Sequence, residues 1–335
     1  MEPLYVLTDA ERRGLHEVLE KISVDPYRDY PGFSRAVAAI VDSDEAPDFL
    51  TQVCTLIRQR REAGTAEAHV LRNCPIDDDV PELGHQDPLA DKYAMKTTFI
   101  AEATHELCAQ LLGTPLLAYA TRFNGDFFTD VIAHDKYRGK QTGFSEGELV
   151  YHNDRTAHPI RADFISLLGM RCPDSDLVYT SFVAGQSMLK NLSAQEQHVL
   201  RQPHFLTPFD VVSRDNNNRL TASDQHPILE NEHDFRYLDT HTTVAPSSPV
   251  EAKDALIALK NALARAPKQR HRMRPGDFFT FANQGGLHNR ELIEVLDPER
   301  VRHRWLLKTY AFRDHETADR LTGAWVDGIR GRVGD

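Results

Sequence analysis

The feature that most constrains the fold is a change of period near residue 115. Before it, apolar residues recur at helical spacing. After it, the chain becomes a series of short β-branched and aromatic runs: LLAYAT, FFTDVIA, ELVYH, DFISLLGM, LVYTSFV, FRYLD, DFFTF and RWLLKTYAF. No regular alternation of strand and helix links these runs, and the chain holds no GxGxxG, so a dinucleotide-binding fold is excluded. The pattern predicts a mostly β core with flanking helices (α+β), of jelly-roll or sandwich type.

The helical part is read from stripes and stop signals. Leu15, Val18, Leu19 and Ile22 make one stripe, and Phe49, Leu50, Val53, Leu56 and Ile57 a second that Gly64 ends. Thr97 to Leu112 is a third helix, stopped by Gly113 and Pro115. Residues 78–88 read as a loop. Two capping boxes open later helices, Ser193-Ala-Gln-Glu196 and Ser248-Pro249-Val-Glu251, the latter running to about Ala266. Residues 205–247 are polar and irregular, long for an inert connection, and are expected to form a lid. We expect a single catalytic domain over 1–335, with helical support at 1–114, a β core at 115–312 and an amphipathic C-terminal helix at 313–335.

Composition removes several functions. The 335 residues carry 39 Lys and Arg against 50 Asp and Glu, a net charge of -11, which argues against nucleic acid as a partner. No apolar stretch approaches the roughly 18 residues of a membrane span. The N-terminus lacks the basic and apolar regions of a secretory signal. The four Cys show no framework spacing, so they are expected to be free thiols in a reducing, cytoplasmic setting. The 16 His make a metal site worth seeking.

The strand ELVYH ends in His152-Asn-Asp154. On a strand, residues i and i+2 face the same side, so both side chains can reach one ion. A second such pair, His85-Gln-Asp87, sits in the Pro/Asp-rich loop, where nothing holds ligand geometry. The third ligand is expected to be His288, in a segment that runs from the Pro275-Gly276 turn through FFTF to the Gly285-Gly286 bend. Two His and one carboxylate form the facial triad of non-haem Fe(II) oxygenases, with coordination positions left open for a co-substrate and O₂. Downstream, Arg304 enters the apolar run RWLLKTYA. A buried guanidinium needs an anion and matches a carboxylate in bidentate fashion, as the distal carboxylate of an iron-chelating 2-oxo diacid would require.

These segments together resemble the clavaminate synthase-like branch of the Fe(II)/2-oxoglutarate-dependent dioxygenases, over residues 115–312. His152-x-Asp154 continues into Pro159-Ile-Arg161-Ala-Asp163 and an Arg-ended strand at Arg171. Pro275-Gly276-Asp277, Asn283, His288 and Arg290 are similar to the family's P-G-D…N-x(4)-H-x-R, and Arg304-Trp305-Leu306 to its R-W-L. The resemblance implies a double-stranded β-helix, with Fe(II) on His152, Asp154 and His288. It implies 2-oxoglutarate on Arg304 and Thr180, with Arg302 as a rival for Arg304. Lys308 stands where related enzymes carry an Arg that grips the substrate carboxylate. The acid that meets the substrate side chain falls near Asp239, and Asp130 is a further candidate for the substrate ammonium.

The implied activity is O₂-dependent hydroxylation of a free L-amino acid, with release of succinate and CO₂. A basic amino acid is the first expectation, lysine before arginine or ornithine, at C3 or C4. The alternatives are a hydroxylase of a small non-amino carboxylate, glutarate- or taurine-like, and a non-catalytic metal-binding jelly roll.

Overall fold

The computed structural model describes residues 1–43, 45–217 and 221–334. Within the expected lid, 218–220 lie outside the described residues, as does 335 within the expected C-terminal helix.

Two sheets form the core. The larger has the strand order Tyr5–Val6, Ala68–Arg72, Phe278–Ala282, Phe164–Arg171, Trp305–Ala311, Leu116–Tyr119 and Arg332–Val333, and Thr129–Val131 also pairs with Trp305–Ala311. The smaller has the order Gln269–His271, Leu177–Ala184, Gly286–Glu294 and Leu149–His152. They pack through aromatic side chains: the Phe182 ring lies 5.7 Å from that of Phe281 and joins Ile165, Leu167, Phe279 and Leu306 in one buried cluster.

Alternation along Trp305–Ala311 decides what each sheet face does. Trp305 and Leu307 point outward into a cluster with the helices, beside Leu107 and Phe278. Arg304, Leu306 and Lys308 point inward and line a cavity between the sheets. The helices cover the outer face of the larger sheet. Ile100–Leu112 lies directly on it, with His105 joined to the Leu307 carbonyl at 3.2 Å and to Thr309 Oγ1 at 3.2 Å. Tyr30–Asp42 and Asp48–Glu62 pack on Ile100–Leu112 in turn.

Most expected elements form. The Ile100–Leu112 helix ends at Gly113, whose φ of 68° is a left-handed cap that Gly adopts without strain. Asp48–Glu62 ends just before Gly64, at φ 61°. Ser193 makes its capping box with Glu196. Four features differ. Ser248 caps nothing: its hydroxyl donates to the His204 carbonyl at 3.0 Å, and Pro249 is the cap of Val250–Arg265. The N-terminal region is not wholly helical, because Ala68–Arg72 enters the larger sheet beside Phe278–Ala282. The C-terminal segment holds only a short helix, His315–Asp319, before Arg332–Val333 pairs in parallel with Leu116–Tyr119. Finally, Gly286–Glu294 is a nine-residue strand whose polar, glycine-led sequence hides its strand character.

Close packing explains Gly286. A Cβ there would stand 2.4 Å from the Phe182 ring, so any side chain pushes into the contact between the sheets. Gly286→Ala is expected to destabilise the fold by about 1–3 kcal/mol, read as a lowered midpoint in denaturant melts; an unchanged midpoint would contradict this packing account.

Candidate active site

The site is set by strand register. Leu149–His152 and Gly286–Glu294 run antiparallel with His152 directly opposite His288. Their rings are 4.3 Å apart. Asp154, two residues beyond His152, returns its carboxylate to the pair: Oδ1 lies 3.1 Å from His152 Nε2 and 3.6 Å from His288 Nε2. All three ligand atoms fall within 4.8 Å of one another. His152 Nδ1–H donates to the Val150 carbonyl at 2.7 Å, which fixes the ring with Nε2 turned toward Asp154 and the site. Burial, with His152 close by, pushes the His288 pKa down to about 4, so its ring is neutral and able to ligate near pH 7.

Two asparagines hold this geometry. Asn153 Nδ2 donates to the carbonyls of Asn283 and Gly286, while its Oδ1 accepts from Tyr237 N at 2.8 Å. Asn283 Oδ1 accepts from Asp154 N at 2.8 Å, and its Nδ2 donates to the Ala162 carbonyl at 2.9 Å. The turn carrying Asp154 is thus tied to the bend that leads into His288. The neighbouring Asp277 anchors the Pro275-Gly276 turn, accepting from Arg72 at 2.9 and 3.1 Å and from His271 at 2.9 Å.

A cavity of about 500 Å³ extends from the triad between the sheets, lined by Thr180, Arg290, Arg304, Leu306 and Lys308. Arg304 is buried, and its Nη2 has no hydrogen-bond partner among the described residues. Such a guanidinium is costly unless an anion completes it. Arg302 is engaged elsewhere: it pairs with Asp135 and Glu299 and does not line this cavity. Arg290 closes one end, donating to the Gly147 carbonyl and Ser145 Oγ.

A second cavity, of about 790 Å³, opens on the other side of the triad acid. Lys308 lines both, with Nζ 2.8 Å from Asp154 Oδ2. Burial alone would raise the Asp154 pKa, but Lys308 and the two imidazoles more than offset it and hold the carboxyl well below its ordinary value. In turn Asp154 holds the Lys308 ammonium above its ordinary value despite burial. The second cavity is walled by Arg122, Arg155 and Asp210, none of which the sequence reading singled out. Arg155 directly follows Asp154, but its position alone says nothing about where its side chain points.

The two remaining acids are both committed to the protein. Asp130 lies at the wall of the second cavity, yet its oxygens take Lys92 Nζ at 2.6 Å and Trp305 Nε1 at 2.9 Å. Asp239 does not line either cavity; its Oδ1 takes Tyr237 Oη at 2.6 Å and Lys260 Nζ at 2.7 Å. His85 lies against His303 and lines neither cavity.

No family model matches the chain. Among curated proteins it is 22% identical to an L-lysine 3-hydroxylase of Catenulispora acidiphila over 296 residues, covering 86% of this chain and 78% of that one. It is 25% identical to an L-asparagine oxygenase of Streptomyces coelicolor over 258 residues, 76% of this chain and 74% of the relative. A match to an enduracididine beta-hydroxylase of Streptomyces hygroscopicus, at 28%, spans only 39% of this chain and 38% of the relative. Among solved structures, asparagine oxygenase in complex with Fe(II), a 3-hydroxyasparagine and succinate superposes with a TM-score of 0.81 over 99% of both chains, at 20% identity. The chain shares the fold of that non-haem iron oxygenase and is similar over most of its length to amino-acid hydroxylases. Another solved structure, the non-haem iron oxygenase OrfP with Fe, succinate and a dihydroxyarginine, gives a TM-score of 0.76 at 21% identity over 98% of this chain and 99% of that one. The donor set fits the iron of these neighbours: two imidazoles and a carboxylate suit Fe(II), and the partnerless Nη2 of Arg304 lines the same cavity.

Two outcomes test the site. Asn283→Ala should weaken Fe(II) binding by about 10–100-fold, as loss of a ligand-orienting group does, measured by anaerobic metal titration; unchanged affinity would refute the bracing role. Lys92→Met should cost about 3–5 kcal/mol by leaving Asp130 unpaired in the interior, and Lys92→Met combined with Asp130→Leu should recover most of it in denaturant melts. A double variant no more stable than the single would show that Asp130 is not held for Lys92.

Proposed function

We propose that the protein hydroxylates an unactivated carbon of a free amino acid in a 2-oxoglutarate-dependent reaction. The observation that carries this reading is the placement of Arg304 Nη2, buried and without a partner, in the same cavity as the triad. Metal storage alone gives no reason for a second anion site there. When bound, iron and 2-oxoglutarate supply O₂ activation: one oxygen atom goes into succinate and the other into the substrate C–H bond, with loss of CO₂.

The chain's own groups divide the work between the two cavities. His152, Asp154 and His288 would hold the metal from one side and leave the other open. Arg304 would receive the distal carboxylate of 2-oxoglutarate, with Thr180 beside it. Lys308 stands where the cavities meet. Its ammonium keeps one hydrogen on Asp154 Oδ2 and has two more for an incoming carboxylate. The amino acid would occupy the second cavity, whose lid wall, Pro208 to Asp210 and Leu238, shields the reacting carbon from water. We read the two sheets as the double-stranded β-helix of this enzyme class and the chain as one catalytic unit.

The named activities of the relatives, on lysine and asparagine, support a free amino acid as substrate. The expectation of a basic side chain rests on Asp239 and Asp130, which are occupied by Lys260 and by Lys92 and Trp305. The test is succinate release with Fe(II), 2-oxoglutarate and O₂ across the free amino acids, with the product weighed. Stimulated release with a +16 product supports the reading, whereas stimulation only by non-amino acids contradicts it. In the same assay, Arg304→Gln is expected to raise the KM for 2-oxoglutarate at least tenfold, from loss of a charge-assisted pair. Arg302→Gln should leave that KM near wild type, and the reverse pattern would exchange their roles.

A further inference from the structure

We infer that Arg290 is a second co-substrate residue: with Arg304 it forms a two-guanidinium clamp for the distal carboxylate, and so selects a 2-oxo diacid over a 2-oxo monoacid. This rests on the 2-oxoglutarate-dependent reading above. Strand register places Arg290 at the site. It stands two residues beyond His288 on Gly286–Glu294, so the two side chains share the cavity face. Directly opposite, on Leu177–Ala184, is Thr180, and cross-strand partners on one face hold their Cβ atoms about 5 Å apart. Arg304 enters the same cavity from the facing sheet. One strand thus carries both a metal ligand and an arm of the clamp, about 7 Å apart along it. A five-carbon diacid chelated at one end can bridge such a span.

The hydrogen bonds of Arg290 leave its charge unanswered. The residue is buried. Its Nε donates to the Gly147 carbonyl at 2.6 Å, and its Nη2 to Ser145 Oγ at 3.1 Å and the Thr142 carbonyl at 3.5 Å. All three acceptors are neutral, and Nη1 donates to none among the described residues. Arg304 likewise pairs with no carboxylate among the described residues, and its buried Nη2 has no partner. Glu146 lines a small neighbouring cavity with both arginines, but its Oε1 meets Arg138 Nε at 3.5 Å and it forms no ion pair with either of them. Burial, then the charge of Arg304, lower the Arg290 pKa to about 9, against a smaller opposing pull from Glu146. Arg290 is therefore still a cation near pH 7, and Arg304 is close enough to repel it.

A neutral donor would tie the Thr142–Gly147 loop to the strand as well as Arg290 does. Burying a second guanidinium beside the first is costly, and neutral acceptors repay little of that cost. One carboxylate between the two repays it for both, through charge-assisted hydrogen bonds. The loop holds the Nε and Nη2 edge of Arg290 from behind and so presents a fixed group to the ligand, which spares the cost of ordering it on binding.

The test compares two co-substrates that chelate iron alike and differ only at the far end, 2-oxoglutarate and 2-oxopentanoate. Each is titrated anaerobically into the Fe(II)-loaded protein, and affinity is read from the visible absorption of the chelate. We expect wild type to bind the diacid at least a hundredfold more tightly. Arg290→Gln should weaken 2-oxoglutarate at least tenfold and 2-oxopentanoate less than twofold. Arg290→Lys, which keeps the charge and serves should the Gln variant not fold, should lose less on the diacid than Gln but still more than on the monoacid. Equal losses on both acids, or none on either, would leave Arg290 as a loop anchor and overturn the clamp, with the oxygenase reading intact. Wild-type protein that binds iron but neither acid overturns both.

Discussion

The structure turns on the antiparallel pairing of Leu149–His152 with Gly286–Glu294. That register sets His152 opposite His288, and a slip of one residue would turn one imidazole out of the cavity. Other features near the site guard it. Gly286 lets the strand pass against Phe182, Asn153 and Asn283 tie the two strand ends together, and Asp277 fixes the preceding turn on Arg72 and His271. The resulting donor set is compact and rigidly carried, as a metal centre with open coordination positions requires.

The opposite wall is supplied by one strand of the larger sheet. Because its side chains alternate, Arg304, Leu306 and Lys308 face the metal donors while Trp305 and Leu307 anchor the strand to the helical layer. Trp305 does this partly through Asp130, which Lys92 neutralises in the interior. Helical support, buried ion pair and anion site are therefore one mechanical unit. Arg304 Nη2 is buried without a partner among the described residues, and an anion would offset that cost, which is physical grounds for a co-substrate that carries one.

Much of this was legible in the sequence, for identifiable reasons. His-x-Asp at the end of an apolar run places two ligands on one face by strand period alone. Arg304 was legible because a cation inside an apolar strand needs explanation. The Gly286–Glu294 strand was not, since it opens on glycine and carries polar residues on a cavity-facing side. Asp130 and Asp239 show the limit most clearly. An acid in an apolar run signals a buried charge, but only three-dimensional packing reveals whether its counter-ion is a ligand or a lysine from a distant segment, here Lys92 and Lys260. The C-terminal segment gave an amphipathic pattern, yet edge pairing with Leu116–Tyr119 prevailed over helix at its end.

The central claim is that one cavity joins a His-His-Asp iron centre to an anion site at Arg304. The most direct measurement is an anaerobic titration of the Fe(II)-loaded protein with 2-oxoglutarate, followed by visible absorption. The account predicts a pink-purple charge-transfer band that saturates at one equivalent and is absent in His288→Ala. Wild-type protein that binds Fe(II) but develops no band at saturating 2-oxoglutarate would contradict it.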